Sequence, residues 1–520
     1  MRKHNTLKRL VVAVMVAIML LLAINVQVFA SITEDTDTSS IVVSGLEAGV
    51  TVTAYRILVI NYDYDADQPS TPMYSWANDS IQSWVDDNYL DYSNPEDFSA
   101  VTDSDTLTAF YSNLAAAIKS GTVTFDEDSD VTYEEKTGGT ASYPVTSESL
   151  TESVTFEDVE MGQYLLITEN GYMVYVPATA SVIPSYNSES GEWELDESYT
   201  AEVKATTPQI VKTVTDTSKT EDNYSTTDTI LYTVVADIPT YASGSLSTTY
   251  EISDTISSGL TLDTSTIKIY GDSTELSSSA YTITYTSTGF TIVFGYSAIS
   301  SYSKITITYS ATLNQDSTLE LGLDDEGNAI GNTNISTLTY SNNPYTTDSS
   351  TTQSDGAVVY TYGIEITKVD YTDTDITLEG AEFELSSNGS TLSFIFVDGI
   401  YYLTSSSTDG STTTLVSDED GKIVIYGLDE GTYYLQETKA ADGYNVDSTK
   451  ITITLTDANV DGILDSDTDA IYELTVKNKE GFSLPTTGGI GTVIFVIVGI
   501  LLIGGGLILI IISAKKKANK

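Results

Sequence analysis

Side chains able to attack, ligate or shuttle protons are scarce in this chain, and the scarcity itself is informative. There is no cysteine, and the one histidine is His4. Disulfides, thiolate metal sites and a thiol nucleophile are thereby excluded. A lone histidine in the N-terminal leader leaves no imidazole for a Ser-His-Asp triad or a typical zinc centre. Acidic pairs such as Glu134-Glu135 fall in loop-like sequence without the spacing of a glycosidase, so no enzyme is expected. What remains is lysine, asparagine and acid. Of the twenty-two basic residues, four lie in each terminal segment described below, which leaves Arg56 and thirteen lysines in a chain of net charge -52. So acidic a surface repels nucleic acid and anionic lipid, and it makes each lysine worth explaining.

One acidic cluster has ligand-like spacing. Asp457, Asn459, Asp461 and Asp465 place oxygen side chains at alternating positions with Gly462 at the sixth, as at the opening of a calcium loop. Thr468 stands where a bidentate Glu belongs, and an acidic hairpin loop is the commoner source of such a run. Calcium is the one cofactor the residues allow. No other metal is expected.

The elements that must hold these groups read as strands. Ile267–Tyr270, Tyr281–Tyr285 and Lys304–Tyr309 alternate apolar and polar residues, the mark of a strand with one wet face. Many such runs separated by Ser/Gly/Asp turns predict an all-β chain of tandem immunoglobulin-like sandwiches. Ser80–Leu90 and Leu107–Lys119 have helical spacing and predict short helices inserted in the first domain. Pro208 and the Asp/Ser/Thr run from Thr346 to Asp355 predict boundaries, giving domains at 31–206, 207–355 and 356–480.

Both ends are membrane-directed. Arg2, Lys3, Lys8 and Arg9 precede an apolar stretch from Leu10, and Val28-Phe29-Ala30 closes a secretory signal peptide over 1–30. At the other end an uncharged run, 490–512, is followed by a basic tail, 513–520, with Lys515, Lys516, Lys517 and Lys520. At about 1.5 Å per residue that run crosses a hydrocarbon core of ~30 Å, with its lysines on the cytoplasmic side. Before it stands Leu484-Pro485-Thr486-Thr487-Gly488. This arrangement resembles the LPXTG sorting signal of Gram-positive surface proteins. The resemblance implies sortase cleavage between Thr487 and Gly488, transfer of the Thr carbonyl to an amine, and an extracellular, wall-anchored product whose precursor is held briefly in the plasma membrane.

Residues 363–478 carry a second resemblance. Gly363-Ile-Glu-Ile-Thr-Lys368-Val-Asp370, Leu378-Glu-Gly-Ala-Glu-Phe-Glu-Leu385, Gly431-Thr-Tyr-Tyr-Leu-Gln-Glu437-Thr438 and Leu474-Thr-Val-Lys-Asn478 are similar to the B-type domain of collagen-adhesin-like proteins and pilins. Ala441 replaces the proline usual there. The resemblance implies an isopeptide bond from Lys368 to Asn478 with Glu437 as helper. An ε-amine attacks an amide only when neutral, and burial disfavours the cation. Burial also favours a neutral carboxyl, which can donate to the Asn carbonyl and carry a proton to the departing ammonia.

The middle domain is similar to the isopeptide-forming domain of sortase-assembled pilins. Its signals are Pro208-Gln-Ile-Val-Lys212-Thr-Val214, Tyr250-Glu-Ile-Ser-Asp254-Thr-Ile256 and Leu338-Thr-Tyr-Ser-Asn342-Asn343-Pro344. Lys212 bonded to Asn342 with Asp254 as helper is implied, with Asn334 and Asn343 as alternatives. The first domain echoes one strand of the last: Val159–Leu166 parallels Leu428–Leu435, which sets Thr168 where Glu437 stands and puts Glu169 on the opposite face. No bond is expected there, and this domain is expected to be the softest.

Together these resemblances imply a backbone pilin, with a minor pilin or single wall-anchored adhesin as the alternative. Lys204, after Trp193 and before the middle domain, is similar in placement to the family's acceptor lysine, although Glu202-Val203 replaces the usual Tyr-Pro; Lys119 and Lys136 are the fallbacks. The implied partners are a class C pilin sortase and a housekeeping sortase, further copies joined head to tail, minor pilins, peptidoglycan and a host or matrix ligand.

Overall fold

The computed structural model describes residues 29–32, 37–125, 133–137, 151–214, 219–241, 245–321, 331–346, 349–455, 470–481 and 490–518. Signal-peptide residues 1–28, the sorting motif 484–488 and the calcium-loop candidates Asp457, Asn459, Asp461 and Asp465 lie outside the described residues. The strand Phe29–Ser31 spans the expected cleavage point.

Alternating patterning becomes three sandwich cores along the chain. In the middle, Ile210–Val214, Ile230–Asp237, Lys304–Leu313, Leu260–Gly271 and Thr274–Glu275 form one sheet. Facing it are Glu221–Asn223, Thr351–Tyr360, Asn332–Tyr340, Tyr250–Ile256, Gly289–Phe294 and Tyr281–Thr286. The inward residues of Ile230–Asp237 and Asn332–Tyr340 are buried at every second position, as the pleat requires. Tyr232, Tyr250, Phe290, Tyr309 and Tyr340 fill the space between the sheets.

One expected boundary is corrected. The Thr/Ser/Asp run ending at Asp355 reads as a linker, yet Thr351–Tyr360 is a strand paired along its length with Asn332–Tyr340. Its polar residues mask a strand because only Gln353, Ala357 and Val359 are buried, whereas Thr is at home on a half-wet pleat. The middle sheet therefore runs to Tyr360.

In the last sandwich the first strand, Tyr362–Asp370, lies parallel to the last, Ile471–Asn478, from Gly363↔Ile471 to Asp370↔Asn478. The opposite sheet contains Glu382–Ser387, Gly431–Lys439 and Ile451–Leu455. The first domain is built on Gln68–Trp76, Thr51–Asp63, Gly162–Glu169 and Ala178–Val182, with smaller sheets around it. Glu134 and Glu135, expected in a loop, lie on the strand Tyr133–Thr137 against Thr51–Tyr55, so that reading is also corrected.

The helices fall where the spacing puts them, at Asp79–Asn88 and Ser104–Lys119, with a further short one at Pro95–Ser99. Asn78 and Asp103 cap the two longer ones by accepting from the Ile81 and Thr106 amides. Their apolar faces and the sheet enclose Trp76, Trp84, Phe98 and Phe110. At the C-terminus a single helix covers Ile490–Ala518, and Val496–Lys515 within it is long and apolar enough to span a membrane.

Candidate functional site

Lys368 is fully buried in the last domain. It stands two residues from the end of its strand, and the parallel register sets it opposite Val476, so Asn478 follows on the same side of the neighbouring strand. Both side chains are buried. The Lys368 ammonium meets Asn478 Oδ1 directly and lies 3.5 Å from Glu437 Oε1. Glu437 arrives from the facing sheet, and its Oε2 accepts from Asn478 Nδ2 at 3.0 Å and from the Asp447 amide at 2.6 Å. One carboxylate thus touches both amine and carboxamide, one oxygen to each. Burial pushes the Lys368 amine below its usual range, against the opposing pull of Glu437. The arrangement suits amide formation: a lysine short of solvation, a carboxamide held at its nitrogen, and a carboxyl placed to move protons.

The middle site has the same logic with a different cast. Lys212 is fully buried, and its ammonium donates to Asp254, to Tyr309 Oη at 2.6 Å and to Ser336 Oγ at 2.9 Å. Tyr309 and Ser336 in turn donate to Asp254 Oδ2 at 2.8 and 2.5 Å. The amine also sits 5.3 and 5.2 Å above the rings of Tyr232 and Tyr309. Burial brings the Lys212 amine down to about 8 although Asp254 and Asp355 oppose the shift. The same burial, with Asp254 adjacent, drives the Tyr309 phenol far up, so it stays a neutral donor.

The asparagine beside this cluster is Asn334. Its Nδ2 donates to Tyr309 Oη at 2.9 Å, and its Oδ1 is buried without a hydrogen bond. Asn342, the expected partner, is elsewhere: its Nδ2 donates to Gly171 O in the first domain and its Oδ1 accepts from Ser349. The register explains the correction. Ser336 lies opposite Asp254, whereas Tyr340, opposite Tyr250, is already about 13 Å further along the strand at ~3.3 Å per residue. The asparagine nearest the strand's end was the more conspicuous in sequence. Asn334 stood among the alternatives; Ser336 could have been found, and Asn334 preferred, as polar residues at inward positions of a strand whose other inward groups include Leu338 and Tyr340.

In the first domain the strand Gly162–Glu169 turns Thr168 into the core, where its hydroxyl is unpartnered, and Glu169 away from it. Lys204 is exposed at the head of Lys204–Thr206, which pairs with Val174–Val176 and closes that domain. Trp193 packs on Tyr186 in the preceding hairpin. Lys119 is held by Glu169 at 2.6 Å.

Comparison with known proteins adds three family matches along the chain. Residues 226–344 match the family described as Gram-positive pilin backbone subunit 2, Cna-B-like domain. Residues 362–469 match the SpaA prealbumin-like fold domain, and residues 476–520 the LPXTG cell wall anchor motif. No curated relative matches. Among solved structures, the T6 backbone pilin of serotype M6 Streptococcus pyogenes is 19% identical with a TM-score of 0.56, over 81% of each chain. The full-length major pilin SpaD from Corynebacterium diphtheriae is 18% identical with a TM-score of 0.50, over 87% of this chain and 100% of that one. At such identities the likeness is one of fold.

Proposed function

We propose that this chain is an LPXTG-anchored backbone pilin of Gram-positive bacteria whose work is mechanical: it is the repeating subunit of a covalent surface pilus, stiffened by isopeptide bonds at Lys368–Asn478 and Lys212–Asn334. Sortase processing, polymerisation with other subunits and a wall-anchored location go with the family. The backbone-subunit match favours this reading over a minor pilin or a single adhesin.

The observation that carries the proposal is Glu437 touching both Lys368 and Asn478 inside a buried core. In the reaction the neutral Lys368 Nζ attacks Asn478 Cγ; a new C–N bond forms, Glu437 carries a proton from the attacking nitrogen to the departing one, the old C–N bond breaks, and ammonia leaves. A buried amine, costly if charged, and a carboxamide become one neutral amide, with Glu437 left beside it. Because first and last strands are parallel neighbours, tension on the domain shears them, and a bond between them carries the load past the hydrogen bonds.

Polymerisation joins Lys204 of one subunit to Thr487 of the next, a head-to-tail contact that does not close and so extends a filament. The supporting feature is an exposed lysine on the strand that closes the first domain. A class C sortase makes that joint, a housekeeping sortase attaches the fibre to peptidoglycan, and minor pilins and a host or matrix ligand complete the assembly. The decisive measurement is the intact mass of the secreted chain. Two bonds remove two ammonias, about 17 Da each by the stoichiometry of amine attack on an amide. A mass with nothing missing overturns the proposal. For the joint, Lys204→Ala is expected to abolish the high-mass ladder on denaturing gels, and an unchanged ladder removes Lys204 from the role.

A further inference from the structure

Among the described residues, a third place where a lysine, a carboxylate and an asparagine meet lies between domains. Past Tyr340 the middle domain sends a short segment into the first domain. Tyr340 Oη donates to Tyr172 O, Asn342 Nδ2 donates to Gly171 O, and Tyr345 is buried among Ile57, Phe110 and Leu114. Between these anchors Asn343 is 2% exposed, and its Nδ2 donates to Glu169 Oε1 at 2.6 Å. The other oxygen of Glu169 accepts from Lys119 Nζ, also at 2.6 Å. Lys119 ends the helix Ser104–Lys119, Glu169 ends the strand Gly162–Glu169, and Asn343 belongs to the neighbouring domain. Amine and carboxamide thus share one carboxylate, an oxygen each, as Lys368 and Asn478 share Glu437.

We propose that Lys119 and Asn343 form an isopeptide bond that locks the first domain to the second. The bond rests on the amide-forming chemistry proposed for the two sandwich cores and extends it to a junction. Glu169 takes a proton from the Lys119 ammonium, and the neutral Nζ attacks Asn343 Cγ. The Asn343 Oδ1 already accepts from the Tyr345 amide at 3.1 Å, which steadies the charge that develops there. Glu169 then returns its proton to Nδ2, the Cγ–Nδ2 bond breaks and ammonia leaves; the second proton of Nζ passes through the same carboxylate to the ammonia, which departs as ammonium. Neither redox partner nor cofactor enters the balance. Docking of the 340–345 segment supplies the fixed proximity.

The junction differs from the cores in hydration. The side chains of Lys119 and Glu169 are 20% and 16% exposed, whereas those of Lys212 and Lys368 are fully buried. Solvent reaches this amine and carboxylate and leaves them less tightly held, so this bond forms more slowly than the other two. The consequence is mechanical as well: a bonded junction makes the first two domains one rigid segment and protects the domain that lacks a bond of its own.

The test is mass spectrometry of the secreted chain over time, with tryptic peptides sequenced. The expected result is two ammonia losses early and a third that accumulates on storage, with a branched peptide joining Lys119 to Asn343. Lys119→Arg keeps the ion pair but is expected to stop at two losses, as is Glu169→Gln, with both core bonds intact. A wild-type chain that remains at two losses and yields no Lys119–Asn343 peptide overturns the junction bond and leaves the pilus reading standing. Failure of the core bonds themselves shows separately, as missing Lys368–Asn478 and Lys212–Asn334 peptides.

Discussion

The strand Gly162–Glu169 of the first domain and the strand Gly431–Lys439 of the last begin alike and end in opposite uses of one carboxylate. In the last domain the acid falls on an inward position, where Glu437 meets Lys368 and Asn478. In the first it falls one residue later, so Thr168 takes the inward position and Glu169 lies on the opposite, helix-covered face with Leu165 and Ile167, where it meets Lys119 and Asn343. A shift of one residue on a pleated strand changes the face. The same group that serves a core bond in one domain therefore serves a junction in the other. Similar sequence units do not carry similar chemistry unless the parity of the reactive residue is also kept.

The largest effect should come from breaking the inward case. Glu437→Ala is expected to abolish the Lys368–Asn478 bond, restoring one ammonia to the intact mass. It also leaves a buried lysine without its carboxylate, a cost of about 3–5 kcal/mol, besides losing the cross-link of a 110-residue separation, on the order of 4–5 kcal/mol by chain entropy. Loss of trypsin resistance in the last domain is the readout, and retained resistance with the bond absent would falsify the mechanical role. Next in size, Thr168→Glu moves the first domain's acid to the inward face. Among the described residues the only fully buried lysines are Lys212 and Lys368, both elsewhere, so no bond can form. Destabilisation of several kcal/mol in chemical denaturation is expected instead; a variant that gains a bond would show that parity alone was lacking.

The middle site sharpens the comparison by its choice of asparagine. Asn334→Ala is expected to remove one ammonia loss and Asn342→Ala none, read by intact mass. In Asn334→Ala the unbonded Lys212 keeps a depressed pKa of about 8. The unfolded chain then binds more protons on this lysine than the folded chain from about pH 8 to about pH 10.4, so its contribution to stability rises with pH across that window. Denaturation of Asn334→Ala against Asn334→Ala/Lys212→Met isolates the term; a flat difference sinks it. The smallest effect is expected at Asp457–Asp469, where calorimetric calcium titration of the secreted chain should give no heat if the run is an acidic connection, and a saturable signal makes it a metal loop.

Much of this was legible in the chain itself. The two hydrophobic termini, the alternating strands, the helices of the first domain and the likeness to pilin modules are local patterns of composition and period, and a local pattern survives without coordinates. Lys368, Glu437 and Asn478 could be read because each sits in its own recognisable strand. Lys212 and Asp254 were legible for the same reason. Asn334 was legible only as an alternative, since choosing it over Asn342 needs the register of two strands separated by some eighty residues. Tyr309 and Ser336 look like ordinary strand residues until Lys212 is placed among them.

Sequence alone therefore determined what kinds of group the protein carries and how it is addressed: a secreted, lysine-poor chain without thiols, made of strands and ending in a sorting signal. Only the tertiary structure decided which amine faces which carboxamide. Strand pairing, sheet-to-sheet facing and the docking of Tyr345 across a junction are relations between distant segments, and burial, which makes a lysine reactive, belongs to the assembled core and to no residue by itself.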